Sequence, residues 1–359
     1  MRALIGAGAL AAALGMALAA VRPAMAAAEP LAAFRAALAA GGSVHVVQLG
    51  DSHTAGDYFS GRLRALFQGR HGAPGHGLLP PGLPFPRFRP DGLSLTQGAG
   101  WRLRHVLMRG EPGPFGPGGF RGEGQGPEGW IEAEAEAPFD RLALSAPCGS
   151  SLALTLDGRT AGTLAPCGFS VLALPAPARR LRLAATAGPA VVTAFGLWRS
   201  GPGVVWHALG LIGATVSAVE AMDLAPVAAL EPALVVLAYG TNEGFQGVEP
   251  AAYEGQLRAA LARLRQAAPA ASLLVLGPPD GSRAGMAPPG LAVVRAAQRA
   301  VAGRQGLGFW DWQAAMGGPG AILRWAAADP PLALKDGVHL RAAGYALSAE
   351  RLFEWLAPP

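Results

Sequence analysis

Twelve residues constrain this chain more than any others: Val46-Val47-Gln48-Leu49-Gly50-Asp51-Ser52-His53-Thr54-Ala55-Gly56-Asp57. An apolar run feeds into Gly-Asp-Ser-His, and Phe59, Leu63, Leu66 and Phe67 then fall on one helical face. A strand that stops at a glycine turn and opens a helix puts the turn residue at the carboxyl end of a sheet strand. In open α/β sheets, ligands bind at that end. A serine there has its hydroxyl near free backbone N–H groups, which suits a nucleophile whose product carries an oxyanion. The stretch alone leaves a second reading open, in which Ser52 or Thr54 is only a helix cap.

Residues 1–26 read as a secretory signal peptide, which the fold does not include. Arg2 gives a positive start, Ala3 to Ala20 is a small-residue apolar run, and Ala24-Met25-Ala26 is an A-x-A cleavage pattern. No cysteine near that point offers a lipid attachment signal. No later stretch is apolar and long enough to span a bilayer, so no membrane insertion is expected after cleavage. Arg2 and Arg22 leave with the signal and no acidic residue does, so the formal +5 falls to +3. The remaining arginines are scattered, which gives nucleic-acid binding little support.

The mature chain exceeds the usual size of one domain. A short helix, Leu31 to Ala40, and a buried strand, Val44 to Leu49, precede the Ser52 turn, whose helix runs to about Arg70. From Gly72 to Gly129 glycine and proline crowd in, and Pro80-Pro81, Pro84 and Pro86 exclude regular helix. The segment reads as a long connection. From Trp130 to Trp198 short apolar runs alternate with turn signals: Trp130–Ala137, Arg141–Ala146, Ser151–Leu156, Ser170–Leu174, Leu181–Ala184 and Val191–Phe195. Such spacing predicts a small all-β sandwich or jelly roll.

The chain has two cysteines, Cys148 and Cys167, and an even count in an exported protein suggests one disulfide. Between them Asp157-Gly158 is a hairpin turn signal. A two-residue loop there faces residues whose numbers sum to 315, as 148 and 167 do, although the parity puts the pair at a less comfortable hydrogen-bonded site.

After Gly201-Pro202-Gly203 an α/β rhythm resumes. The expected strands are Val204–Leu209, Leu234–Tyr239, Ser272–Leu276 and Leu307–Trp310. The expected helices run from after Thr215 to about Met222, over Pro250–Ala267 and Leu291–Ala302, and from Ala342 to Leu356. This alternation implies a parallel sheet with helices on both faces, interrupted by the β unit between its first and second strands. The expected division is 1–26 signal peptide, 27–85 and 201–359 the two parts of an α/β unit, and 86–200 an inserted β-sandwich.

Four signals fall where such a sheet gathers its loops: Ser52, Gly213, Asn242 and the pair Asp336/His339. Together they supply an acyl-transfer site. Ser52 is the nucleophile, His339 takes its proton, and Asp336 orients the imidazole. The backbone N–H groups of Ser52 and Gly213 and the Asn242 amide can face a developing oxyanion. Asp51 reads as fixing the turn. His53 reads equally as support for the site or as a packed turn residue. Trp310, Trp312 and Met316 read as core, and His71, His76, His105 and His207 as structural or surface, with no metal-ligand spacing.

In order, Gly50-Asp51-Ser52, Gly213, Gly240-Thr241-Asn242 and Asp336-Gly337-Val338-His339 resemble the four blocks of the SGNH (GDSL-type) hydrolase family. The resemblance covers residues 44–70 and 204–356. It implies an esterase or acetylesterase with a three-layer α/β parallel sheet, here with an inserted all-β, jelly-roll-like module. The sequence departs from the common pattern: His53 stands in place of leucine, Glu243 in place of aspartate, and Leu340 follows His339 where proline is frequent. These variants, with Phe309-Trp310-Asp311-Trp312-Gln313-Ala314-Ala315-Met316-Gly317-Gly318, resemble the subgroup of periplasmic peptidoglycan O-acetylesterases, which carries a carbohydrate-binding-like β insert.

The expectation is therefore a monomeric periplasmic serine esterase. It would remove acetyl groups from O-acetylated peptidoglycan or a related glycan through an acetyl-enzyme, with no metal or organic cofactor. Two alternatives are an O-acetyltransferase using the same residues and a catalytically silent glycan-binding protein.

Overall fold

A computed structural model describes residues 29–357 apart from 87 and 187. The signal-peptide expectation for 1–26 lies outside the described residues. Five parallel strands form one sheet in the order Gly203–Gly210, Ser43–Gly50, Leu234–Ala238, Ser272–Leu276, Gly308–Trp310. Successive strand residues leave by opposite faces. Val44 and Val46 meet Phe59, Leu63 and Phe67 of helix Tyr58–His71 and Leu352 of helix Ala342–Leu356. Val47 and Leu49 join the opposite core, with Leu257 and Leu261 of helix Pro250–Ala267 and Val294 of helix Pro289–Gln305. Burial on both faces explains why Val44–Leu49 reads as a nearly continuous apolar run. Each such buried side chain contributes roughly 1.5–3 kcal/mol relative to exposure.

Strands Ser43–Gly50 and Gly203–Gly210 are neighbours, with Gly50 opposite Gly210. The chain between them builds two antiparallel sheets. One contains Ala190–Val192, Phe120–Gly124 and Trp101–His105. The other runs Gly75–Leu79, Ala194–Trp198, Trp130–Ala146, Gly168–Ala185, Leu152–Leu156, Arg159–Leu164, with Leu93–Gln97 also paired to Trp130–Ala146. Trp101, Ile131, Leu142, Leu181, Val192 and Phe195 share one core.

This region departs from the sequence expectation in three ways. First, the 72–129 connection holds four strands of its own; Gly75–Leu79 begins the antiparallel pairing upstream of residue 86. Second, the runs 130–137 and 141–146 form one strand, as do 170–174 and 181–184. Pro138 and its neighbours, which read as a turn, sit where the ladder shifts register around Phe139. Proline is tolerated at such a bulge because no ladder hydrogen bond is asked of it. Third, beyond the second of these parallel strands, the helix expected after Thr215 is a short 3₁₀ turn, Val216–Ala221, rather than an α-helix.

The Asp157-Gly158 hairpin forms with φ of 48° and 79°, both positive as its turn type requires. Leu156 faces Arg159, but a register shift between Leu154 and Thr155 displaces the outer pairs. The ladder ends at Leu152 and Leu164, and the disulfide between Cys148 and Cys167 closes the loop beyond it.

A histidine pair joins the two kinds of sheet. His207 Nδ1 accepts the Leu78 N–H at 2.9 Å, and His207 Nε2 lies 2.9 Å from His45 Nδ1. With Nδ1 accepting, Nε2 of His207 carries the proton and donates it to His45. Burial holds His207 well below its usual 6.5, helped by His45, and pushes His45 down to about 4. A depressed histidine makes the fold bind fewer protons than the open chain between those values. Its stabilising effect is thus complete above pH 6.5 and lost as pH falls toward 4. Buried Asp51 acts in the opposite direction, so a variant isolates the effect. In urea melts from pH 4.5 to 6, His207→Gln should show a stability slope up to about 1.4 kcal/mol per pH unit shallower than the parent. Identical slopes would rule out this role for the pair.

Candidate active site

Strand Ser43–Gly50 ends under a four-residue helix, Ser52–Ala55. Asp51 caps it by accepting the His53 N–H at 3.0 Å. The helix sits directly on the neighbouring strand end: a Cβ at Gly210 would lie 2.2 Å from the Ala55 nitrogen. Gly210 is therefore a packing glycine, distinct from Gly213, which lies in the loop beyond it. Thr54 is buried and accepts the Gln48 amide at 2.9 Å, and Ser52 remains partly exposed.

The last loop brings the imidazole of His339. Asp336 Oδ1 accepts the N–H groups of Val338 and His339, both at 2.9 Å, and Oδ2 faces His339 Nδ1 at 2.8 Å. His339 Nε2 is 3.0 Å from Ser52 Oγ. Gly337 turns this loop at φ 73°, and a Cβ there would meet the Ser282 carbonyl at 2.2 Å. Partial burial raises the Asp336 carboxyl. The hydrogen bonds from Val338 and His339 outweigh that effect and leave it below the usual carboxylate range. A carboxylate on Nδ1 fixes the tautomer whose bare Nε2 faces the serine, the arrangement that lets an imidazole take a hydroxyl proton.

Asn242 opens the short helix Thr241–Gln246, and its Nδ2 donates to the Ala214 carbonyl at 2.8 Å. Glu243 Oε1 accepts the Val216 N–H at 2.7 Å. These two bonds clamp the Asn242 helix to the loop carrying Gly213, so two of the three expected oxyanion donors stand on segments held together.

Beneath them lies a buried polar layer. His53 is 3% exposed, its Nδ1 is 2.9 Å from the Tyr345 hydroxyl, and its ring centroid is 5.4 Å from that of His339. Burial first, then the neighbouring His339, pushes His53 down to about 3 against the pull of Asp336. It is a neutral packed ring that holds the floor of the site. Burial, against the His53 hydrogen bond and with help from Glu243, pushes Asp51 up to about 7. Trp310, Trp312 and Met316 are core, as expected. The sequence reading missed Tyr345. It occupies an apolar position in the stripe of helix Ala342–Leu356, which masks its hydroxyl; a histidine six residues upstream was the only cue. Among the described residues, no cluster of three His, Cys, Asp or Glu is placed to hold a metal ion.

Residues 171–347 match the GDSL-like Lipase/Acylhydrolase family. The match takes in Gly213, Asn242, Asp336 and His339 and leaves out Ser52, which the antiparallel sheets separate from the rest in sequence. No curated protein sequence matches. Among solved structures, the chain is similar to a peptidoglycan O-acetylesterase at 29% identity and TM-score 0.77, over 92% of this chain and 95% of that one. It also aligns with an acetylxylan esterase from Geobacillus stearothermophilus at 20% identity and TM-score 0.37, over 44% and 74%. Residues 171–347 thus carry a GDSL-like lipase/acylhydrolase region, and the chain is a carboxylic ester hydrolase.

Proposed function

We propose that this hydrolase is an exported, periplasmic esterase that removes O-acetyl groups from cell-wall glycan, with peptidoglycan as the substrate. The observation that carries the reading is the unbroken row Asp336–His339–Ser52, at 2.8 and 3.0 Å, on a chain similar along nearly its whole length to a peptidoglycan O-acetylesterase. Ser52 Oγ attacks the acetyl carbonyl while its proton passes to His339 Nε2. The resulting oxyanion faces the N–H groups of Ser52 and Gly213 and the free N–H of the Asn242 amide. The imidazolium then protonates the sugar oxygen as the C–O bond breaks, which leaves an acetyl-enzyme. Water, deprotonated by the same imidazole, displaces Ser52 and frees acetate. The antiparallel sheets serve as a carbohydrate-binding-like module inserted in the hydrolase domain, and residues 1–26 direct export.

Acetate release from O-acetylated murein sacculi, measured against sacculi stripped of acetate with base, tests the substrate. Release from the first and none from the second is expected. An enzyme that hydrolyses p-nitrophenyl acetate yet frees nothing from acetylated sacculi acts on another polymer. Asn242→Ala should lower kcat about 10²- to 10³-fold with little change in KM, because its donor acts in the transition state. A loss confined to KM would remove Asn242 from that role.

A further inference from the structure

Resting on the glycan-esterase reading, the geometry points to an apolar rim around Ser52 that seats the sugar rings next to the acetylated one, with Tyr58 as the stacking face. Among the described residues seven large hydrophobic side chains are exposed, and four of them sit on four separate segments tied to residues of this site. Tyr58 opens the helix that follows the Ser52 turn and is 60% exposed. Its ring lies nearly parallel to that of Tyr345, the residue bonded to His53. Ile212 immediately precedes Gly213 and is 52% exposed. Leu107 comes from the antiparallel region, and its Cδ1 lies 3.9 Å from where a Cβ on Gly213 would stand. Met286 tips the turn after Ser282, and Ser282 N–H holds the Gly337 carbonyl at 2.8 Å.

The loop bearing Leu107 is tied to the segment that follows the 3₁₀ turn of the hydrolase part. Val106 N–H binds the Gly119 carbonyl, and Asp223 N–H binds the Phe115 carbonyl at 2.8 Å. The antiparallel sheets therefore supply one wall of the site.

Grouped apolar exposure of this kind marks an interaction surface. The occupant is a glycan because the site is open. The His339 and Asp336 side chains are 37% and 43% exposed, so nothing encloses a long acyl chain. A small ligand would be mostly buried in a pocket, whereas a polymer can lie across an open row and leave only its acetyl group to enter. A tyrosine held flat with one face free offers a platform for the apolar face of a sugar ring, while the aliphatic side chains border the strand on either side. An interfacial lipid-binding element would instead gather its apolar residues on one amphipathic helix.

The test compares kcat/KM on soluble O-acetylated murein glycan chains with kcat/KM on p-nitrophenyl acetate. For Tyr58→Ala the ratio of the two should fall about tenfold, mainly through KM on the glycan. Tyr58→Phe, which keeps the ring, should stay within about twofold of the parent, and Leu107→Ser should lower the ratio as Tyr58→Ala does. Trp355→Ala, an exposed aromatic at the far end of its helix, is the control and should leave the ratio unchanged. A parent-like ratio in both Tyr58→Ala and Leu107→Ser, or equal losses on both substrates, overturns the rim. So does binding to phosphatidylglycerol vesicles that these two variants abolish while the ratio holds, since the patch is then a lipid contact. A parent enzyme active on p-nitrophenyl acetate and silent on the glycan overturns the substrate reading itself. Glycan turnover indifferent to the variants overturns only the rim.

Discussion

Ser52→Ala should lower kcat on p-nitrophenyl acetate by about 10⁴- to 10⁶-fold, while circular dichroism and the melting midpoint stay near those of the parent. The substitution removes one oxygen from a partly exposed side chain and leaves the Asp51 cap and the Gly210 contact intact. The lost activity would therefore be chemical. The donors on Gly213 and Asn242 survive in the variant and account for the residual rate. His339→Ala should cost a similar factor. The double variant should be scarcely worse than either single one, because nucleophile and base act as a unit. Native turnover in Ser52→Ala would end the proposed mechanism.

Asp336→Asn is the more discriminating substitution, with an expected loss of about 10⁴-fold in kcat. Oδ1 of Asp336 accepts two backbone N–H groups, from Val338 and His339. In asparagine the carbonyl oxygen must keep that position, since an NH₂ group there would face two donors. The amide nitrogen then occupies the place of Oδ2, 2.8 Å from His339 Nδ1. Nδ1 must become the acceptor, and the ring proton moves to Nε2, where it faces Ser52. That imidazole cannot take the serine proton. The loop geometry should be retained in a crystal structure of the variant, and nuclear magnetic resonance of the ring nitrogens should show the proton shifted to Nε2. Near-native turnover with the parent tautomer would refute the argument.

Much of the parallel sheet is legible in the sequence because its strands are short apolar runs buried on both faces. Ser272–Leu276, Pro250–Ala267 and Ala342–Leu356 have the expected bounds. The antiparallel region is less legible. Glycines and prolines that read as a connection from Gly72 to Gly129 instead punctuate strands of five residues, such as Leu93–Gln97, whose exposed faces are polar. Pro138 looks like a turn residue and sits at a ladder irregularity, because only pairing with Gly168–Ala185 decides between the two.

At the site, Ser52, Asn242, Asp336 and His339 are visible because glycine turns and polar residues interrupt apolar runs. Tyr345 is hidden because its aromatic body satisfies the helix pattern, and only its hydroxyl, 2.9 Å from His53, reveals a second purpose. Glu243, which replaces an aspartate of the family pattern, also finds its partner at Val216, which no local spacing predicts.

Strand Ser43–Gly50 pairs with Gly203–Gly210 on one side and Leu234–Ala238 on the other, so both its neighbours are made long after it. Sequence-distant pairing of this kind is slow to form. During synthesis the first strand must wait, unzipped, while the intervening antiparallel sheets assemble. Ser52 and His339 are separated by 287 positions, so a nascent polypeptide carries the proposed nucleophile through all of that growth without its proposed base. On the proposed mechanism, ester cleavage therefore waits until the segment carrying His339 has been made.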